Sequence, residues 1–401
     1  MPLAPAESFP GSPSMTAPSR RLSPANRDPV AVARALAPIL APLAAADDRE
    51  GRFAGQSLAA IREAGLAALT VPEARGGLGA GLAVASAVIG TLAEADPAAS
   101  LVLAMQAVHH ASLARATWPE GVAARLQQSA VREGAFVNAL RVEPALGSPA
   151  RGGLPETVAR RVPEGWRITG RKIYSTGAPI LASGLVWART DEAEPRVGLV
   201  VVPMAAPGVR IEETWDHLGL RASGSHDVVL DRVLVPEDHA VDWRPPAAWA
   251  TPDPVTLAWN TTLLASLYDG VARAAQGWLR AHLTERAPAN LGAPLASLPR
   301  VQEAVGESER LLAVNRRLLR GAAAETDAGS PPPVAESGLI KLTVTENAIQ
   351  VVQGAVALVG NPGLSRNNPL ERHLRDVLCA RIHTPQGDAV RLAAGRAALG
   401  A

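Results

Sequence analysis

The chain has 401 residues with 39 Lys and Arg against 38 Asp and Glu; that length allows a core of several layers, and a formal charge of +1 gives no field to steer nucleic acid or an anionic membrane surface. A single cysteine, Cys379, excludes an intrachain disulfide framework and a thiolate metal cage, and suits a reducing cytoplasm. Aromatic residues are scarce, 3 Phe, 2 Tyr and 8 Trp beside 35 Gly and 34 Pro, so the core must rest on Leu, Val, Ile and Ala and each aromatic side chain becomes conspicuous.

Residues 1–29 mix Pro, Ser and Ala without a helical or alternating period and read as a flexible tail. With Arg20 and Arg21 among serines, an organelle transit peptide is the alternative reading. No basic start leads into a compact apolar segment, and nowhere do about 18 uncharged apolar residues run together, so neither secretion nor a membrane span is expected.

Over residues 30–133 the apolar positions recur every three or four residues, which predicts a helical domain. Its turn-rich loop PEARGGLGAG precedes a helix as a dinucleotide loop would, but the G-x-G-x-x-G spacing fails from both Gly77 and Gly79,. Over 134–243 the pattern changes to short alternating runs separated by Gly, Pro and Asp, including AFVNAL, ETVARRV, WRITGRKIYS, GLVWART, RVGLVVVP and HDVVLDRVLVP; these predict a compact antiparallel β-domain or barrel. Over 244–401 the helical period returns through four long segments and a short last one. The class expected is therefore α+β, helical then β then helical, with no solenoid repeat.

The local motifs make that order specific. GLAALTVPEARGGLG, VEPALGS, GRKIYSTG, HLGLRASGSHDVVLDRVLVPED, TERAPANLGAPL and VGNPG followed by NPLERHLRD resemble, in order, motifs of the acyl-CoA dehydrogenase superfamily of flavoproteins. The resemblance implies an N-terminal helical domain, a middle β-barrel and a C-terminal four-helix bundle, with flavin between barrel and bundle. It also implies a homotetramer, a dimer of dimers, in which a neighbouring subunit reaches the cofactor.

The same resemblance nominates residues. Tyr174 stands where the family has a flavin-facing tryptophan, and Thr176 where a threonine bonds the ring. Gly147 and Ser148 match the loop that approaches flavin or substrate, while Val142 replaces a threonine. Arg286 matches the pyrophosphate arginine supplied by the neighbouring subunit, where a guanidinium fork suits a diphosphate, although Ala287 and Pro288 alter the spacing and Leu291 replaces phenylalanine. Gly360 and Gly363 keep two glycines that let backbone approach the cofactor, but Ala357 replaces glutamine and Asn361 and Pro362 break the Gly-Asn order. FAD and FMN both remain open as the flavin.

The expected base is absent. Dehydrogenases of this family remove a weakly acidic α-proton with a carboxylate; counting from Arg375 in the R-D motif, its usual place holds Thr384, and its alternative place on the first bundle helix holds Asn260. Neither accepts a proton near neutral pH. His383 lies next to Thr384 and exchanges protons in that range, and Ser175 replaces an aliphatic residue in the barrel motif. Together these features resemble the flavin-dependent monooxygenase branch, such as dibenzothiophene monooxygenase, in which reduced flavin and oxygen form a C4a-hydroperoxide near a serine and a histidine. Ser175 and His383 are accordingly expected to be catalytic, in a slot that excludes water. His109, His110, Asn260 and Thr384 are candidates for substrate contact, and Arg375 and Asp376 are expected to pair with each other.

The leading reading is a reduced-flavin monooxygenase acting on a small organosulfur, nitrogen or aromatic compound. A dehydrogenase with a displaced base, His383 or Asp388, and a catalytically disabled scaffold that binds flavin or acyl groups are its competitors. Expected partners are the small substrate, further copies of the chain and a separate flavin reductase; nucleic acid, membrane and metal are not expected.

Overall fold

The computed structural model describes residues 28–146 and 153–400. Up to residue 27 the tail expected over 1–29 lies outside these residues, as do Gly147 and Ser148. Five helices come first, α1 (Pro29–Glu50), α2 (Gly55–Glu63), α3 (Leu82–Ala93), α4 (Pro97–Leu113) and α5 (Glu120–Glu133). Their starts follow local chemistry: Asp28 and Asp96 accept the backbone N–H of Val30 and Ala99, each at 2.9 Å, immediately before Pro29 and Pro97, the N-cap and first-position proline pattern. The PEARGGLGAG loop has a packing explanation instead of a dinucleotide one. A Cβ on Gly77 would stand 2.1 Å from the carbonyl oxygen of Val71, so no side chain fits there.

Strands β1 (Phe136–Leu140), β2 (Val158–Val162), β3 (Gly165–Ser175), β4 (Leu181–Thr190), β5 (Val197–Pro203), β6 (Val209–Glu212), β7 (His226–Val235) and β8 (Ala240–Arg244) follow. They form one sheet of order β6-β7-β3-β2-β4-β5-β8, with β1 added on β4. The expected antiparallel arrangement needs correction, because β1 and β2 both pair with β4 in parallel. Strand β8 escaped the sequence pattern: in its five residues AVDWR the alternation of Val241 and Trp243 with Asp242 and Arg244 spans only four positions, and pairing with β5 fixes them. At the centre, Lys172 on β3 and Glu143 are both fully buried and form an ion pair of 2.6 Å. Thr157 donates its hydroxyl and its backbone N–H to the same carboxylate, at 2.6 and 2.9 Å. Burial pushes the Glu143 carboxyl up, but the charge and hydrogen bond of Lys172, with those of Thr157 and Glu156, hold it below its usual range.

The remaining helices are α6 (Pro254–Glu285), α7 (Pro299–Asp327), α8 (Val334–Val359), α9 (Leu370–Leu378) and α10 (Gly387–Leu399). Helices α6 to α9 pack on one another, α10 lies along α8, and α3 and α4 pack on α6, so one apolar core runs through both helical regions. Asp327 at the end of α7 accepts the N–H groups of Leu82 and Ala83 at 2.6 and 2.9 Å and thereby caps α3 from across that interface. Among the described residues two helices, α1 and α8, reach the length and apolarity of a membrane span. Both are tied into this packing, α8 between α6 and α7 and α1 through the ion pair of Asp48 with Arg375 at 2.6 Å.

Candidate active site

Strand β3 ends in Tyr174 and Ser175, and the chain turns at Thr176. Tyr174 has φ +55°, a left-handed conformation that costs a bulky residue roughly 1–2 kcal/mol. This turn leaves its ring 54% exposed at an aromatic corner that the sequence did not announce. The Trp215 and His217 rings stack at 3.6 Å, and the Tyr174 ring meets both edge-on at 6.4 and 5.8 Å. The alternate positions of Trp215 and His217 in the run TWDH are the signal that could have found them.

Ser175, the next residue, is buried, and its hydroxyl has no hydrogen-bond partner among the described residues. Thr176 is held on both sides: its carbonyl accepts from the Asn138 amide at 2.9 Å, and its hydroxyl lies 3.0 Å from that of Ser225, which in turn meets Ser223 at 2.8 Å. Helix α4 brings His109 to the same place. Its Nε2 accepts the Ala139 N–H at 3.0 Å, and the Asn138 amide oxygen is 3.1 Å away. Burial pushes the His109 pKa down to about 4. His110 is fully buried with neither ring nitrogen bonded among the described residues, and burial lowers its pKa to about 3.

A second group of residues forms where α6, α8 and the segment after α9 meet. Asn260 donates to the Thr384 carbonyl at 3.3 Å, so the two positions that could have carried the base are neighbours and neither carries an acid. His383 Nδ1 lies 2.6 Å from the hydroxyl of Tyr268, a fully buried residue on α6. Burial raises the tyrosine pKa well above its ordinary value, so the hydroxyl keeps its proton. It has no other partner among the described residues, and it donates to Nδ1; the imidazole proton then sits on Nε2. Burial and the charge of Lys341 push the His383 pKa down to about 4, which leaves the ring neutral near pH 7. The Lys341 ammonium, buried on α8, donates to the carbonyls of Ala380, His383 and Pro385 at 3.0, 2.7 and 3.1 Å and shapes the loop that presents the histidine.

The two groups are connected through residues 220–225. Ser223 N–H donates to Leu220 at 3.0 Å, and Leu220 N–H donates to the Asp376 carboxylate at 2.7 Å, one helix turn before the His383 loop. The expected Arg375–Asp376 pair is not formed. Arg375 forks onto Asp48 at 2.6 Å and Glu371 at 2.8 Å, because adjacent helical residues diverge by about 100° whereas residues four apart share a face.

Other nominated residues lie elsewhere. Asn260 and Arg286 stand near opposite ends of α6, about 40 Å apart at a helical rise of roughly 1.5 Å per residue. Arg286 is exposed at the helix C-cap and makes no ion pair among the described residues. Gly360 caps α8 with φ +68°, and a Cβ on Gly363 would meet Val359 at 2.9 Å, so the packing of α8 already accounts for a glycine there. Asp388 is exposed in the first turn of α10.

Family models for the acyl-CoA dehydrogenase N-terminal, middle and C-terminal domains match residues 30–120, 141–233 and 255–389. The putative acyl-CoA dehydrogenase YdbM of Bacillus subtilis (strain 168) is 34% identical over 350 residues, 86% of this chain and 90% of its own length. The chain belongs to the acyl-CoA dehydrogenase family. Within the family, the L-evernosamine nitrososynthase of a Micromonospora species is 30% identical over 399 residues, 94% of this chain and 91% of that protein. Among solved structures, KijD3 in complex with FMN and a dTDP-linked 3-amino-4-keto sugar superposes with a TM-score of 0.82 at 28% identity, covering 94% of this chain and 95% of that one. The fold class read from the sequence, helical domains on either side of a sheet domain, is thus that of the acyl-CoA dehydrogenase family. The family is one of flavin-dependent enzymes.

Proposed function

We propose that this acyl-CoA dehydrogenase family member is a reduced-flavin monooxygenase acting on a small organic substrate through an amine nitrogen, a sulfur or an aromatic carbon. One observation carries the reading. At the place where a dehydrogenase keeps a carboxylate stand Thr384, Asn260 and a neutral His383 whose Nδ1 is occupied by Tyr268. With the proton on Nε2, His383 is a hydrogen-bond donor and not a base, which suits the orientation of an oxygen species better than removal of an α-proton. The likeness to a nitrososynthase supports an amine nitrogen as the leading target.

The residues present fit a flavin. Tyr174, Trp215 and His217 offer it an aromatic wall, Thr176 and the unpartnered Ser175 hydroxyl offer hydrogen bonds, and the exposed Arg286 offers a fork for its phosphate. Bound flavin would supply two-electron redox chemistry and, when reduced, activation of molecular oxygen. Ser175 and His383 would then donate hydrogen bonds that orient the oxygen being transferred, while the apolar surroundings of the helices keep bulk water out. The length of α6 separates Arg286 from His383 of the same chain, which supports assembly as a dimer of dimers with Arg286 serving a neighbour. FMN is the favoured flavin because KijD3, at 28% identity, is described with FMN; a separate flavin reductase would deliver it reduced.

The deciding experiment has two arms. Anaerobic mixing of the flavin-loaded protein with a panel of acyl-CoA thioesters should leave the flavin oxidised. Mixing with reduced FMN, labelled oxygen and a panel of amino sugars, thiophenes and indoles should give a product carrying one labelled oxygen atom, and Ser175→Ala should divert most turnover to hydrogen peroxide. Bleaching by an acyl-CoA without oxygen incorporation would overturn the proposal in favour of dehydrogenation.

A further inference from the structure

A cavity of about 370 Å³ opens between α1, the loop joining β6 to β7 and the beginning of α9. Its lining includes Asp48, Glu371, Arg375 and Arg221, met above at the connection between the two groups, but none of the residues around Tyr174 or His383. Five arginines line it, Arg49, Arg221, Arg366, Arg372 and Arg375, against two carboxylates, Asp48 and Glu371, so five positive charges less two negative ones leave an excess of three. The excess is larger in effect than the count suggests. Arg375 engages both carboxylates by itself, with Asp48 at 2.6 and 2.9 Å and Glu371 at 2.8 and 3.1 Å. Arg221 spends its Nε on the Asp48 carbonyl at 2.8 Å.

Arg372 is different. It is 7% exposed, and its Nε and Nη1 are buried without a hydrogen-bond partner among the described residues. The carboxylates of Asp96 and Asp376 feel its charge but accept no hydrogen bond from it. Buried donors of a guanidinium are seldom left unmet, because the hydrogen bonds to water lost on burial are then not replaced. A ligand that accepts from Arg372 and neutralises the excess charge removes both costs together. Exposed Arg49 and Arg366 stand at the cavity rim, and Leu218, 64% exposed, supplies an apolar edge beside them.

We propose that this cavity binds a phosphate or diphosphate group, free or carried by a small molecule, with Arg372 as its buried anchor and Arg49 and Arg366 closing over it. Planar guanidinium forks match phosphate oxygens two at a time, and the volume accepts a diphosphate with room for a small ester group against Leu218.

The test uses the full chain saturated with FMN, so that the flavin site is filled, and calorimetric titration with inorganic pyrophosphate and with ADP. Saturable binding of at least one probe is expected. The double variant Arg49→Ala/Arg366→Ala, changed only at exposed positions, should weaken it at least 10-fold while leaving the melting temperature and FMN affinity intact. Arg372→Lys, which keeps the charge and loses the fork, should weaken it as well. Tighter binding of ADP than of pyrophosphate would assign the ester form, and equal binding the free anion. The proposal is overturned if neither probe binds, if the double variant binds as the parent does, or if binding appears only when FMN is omitted, since that would be the flavin's own phosphate subsite.

Discussion

The Tyr268 hydroxyl lies 2.6 Å from His383 Nδ1, across 115 residues of sequence. The tyrosine is one of only two in the chain and is fully buried, so its polar tip is directed by the histidine and the histidine's tautomer by the tip.

Replacing either partner should separate positioning from chemistry. Tyr268→Phe frees Nδ1 to take the ring proton and is expected to lower product oxygenation about 10-fold, with a stability loss of about 1–3 kcal/mol for the buried nitrogen left unpaired. His383→Ala should lower it about 100-fold or more, and the double variant should be no worse than His383→Ala alone. Product yield per reduced flavin is the readout; an unchanged yield in Tyr268→Phe would remove the tyrosine from the mechanism.

His110 sets an acid limit on stability. Its folded pKa, pushed down to about 3 by burial, lies below its unfolded value of roughly 6.5, so the unfolded chain binds more protons between those limits. The neutral buried ring is therefore tolerated fully above about pH 6.5, and stability falls as pH drops toward 3. Between pH 6.5 and 4.5 the loss from this residue is about 2–3 kcal/mol, at roughly 1.4 kcal/mol per pH unit. His110→Leu should flatten that limb in urea titrations at pH 4.5 and 7.5, and parallel curves for variant and parent would contradict the assignment.

Tyr174 links backbone geometry to cofactor affinity. Tyr174→Gly relieves a left-handed φ at a cost of roughly 1 kcal/mol in glycine entropy, so stability should stay within about 1 kcal/mol of the parent. FMN affinity should fall about 10-fold through loss of the ring face. Fluorescence titration with FMN measures it; full affinity without the ring would show that the aromatic corner does not face the flavin.

The Glu143–Lys172 pair tests how the sheet tolerates charge. Lys172→Met alone leaves a buried carboxylate without its counter-ion and should cost about 3–5 kcal/mol. Adding Glu143→Leu should recover most of that loss, measured by guanidinium denaturation. If the double variant is as unstable as the single one, the pair is not the source of the cost.

The family motifs made the layered architecture legible; spacing from Arg375 pointed to Thr384 and its neighbour His383, spacing to Gly270 pointed to Asn260, and Asn260 and Thr384 meet in the fold. What stayed hidden depends on contacts between distant segments. Lys341 and Tyr268 sit within amphipathic helices where nothing local distinguishes a lysine on carbonyls or a tyrosine on a histidine from ordinary core or surface positions. The parallel pairing of β1 and β2 with β4 was equally silent, since alternation reports which face is buried and not the direction of the neighbour. The mistaken Arg375–Asp376 pair was avoidable, because Glu371 four residues earlier is the partner that helical geometry favours.

The three carbonyls gathered by Lys341 also set the unit in which this site can be transplanted. A graft of residues 379–386 into a related scaffold carries the histidine but leaves behind the ammonium that folds its loop. The portable module is the loop together with a lysine 42 positions upstream of His383, and a recipient lacking that lysine would receive the sequence of the site without its shape.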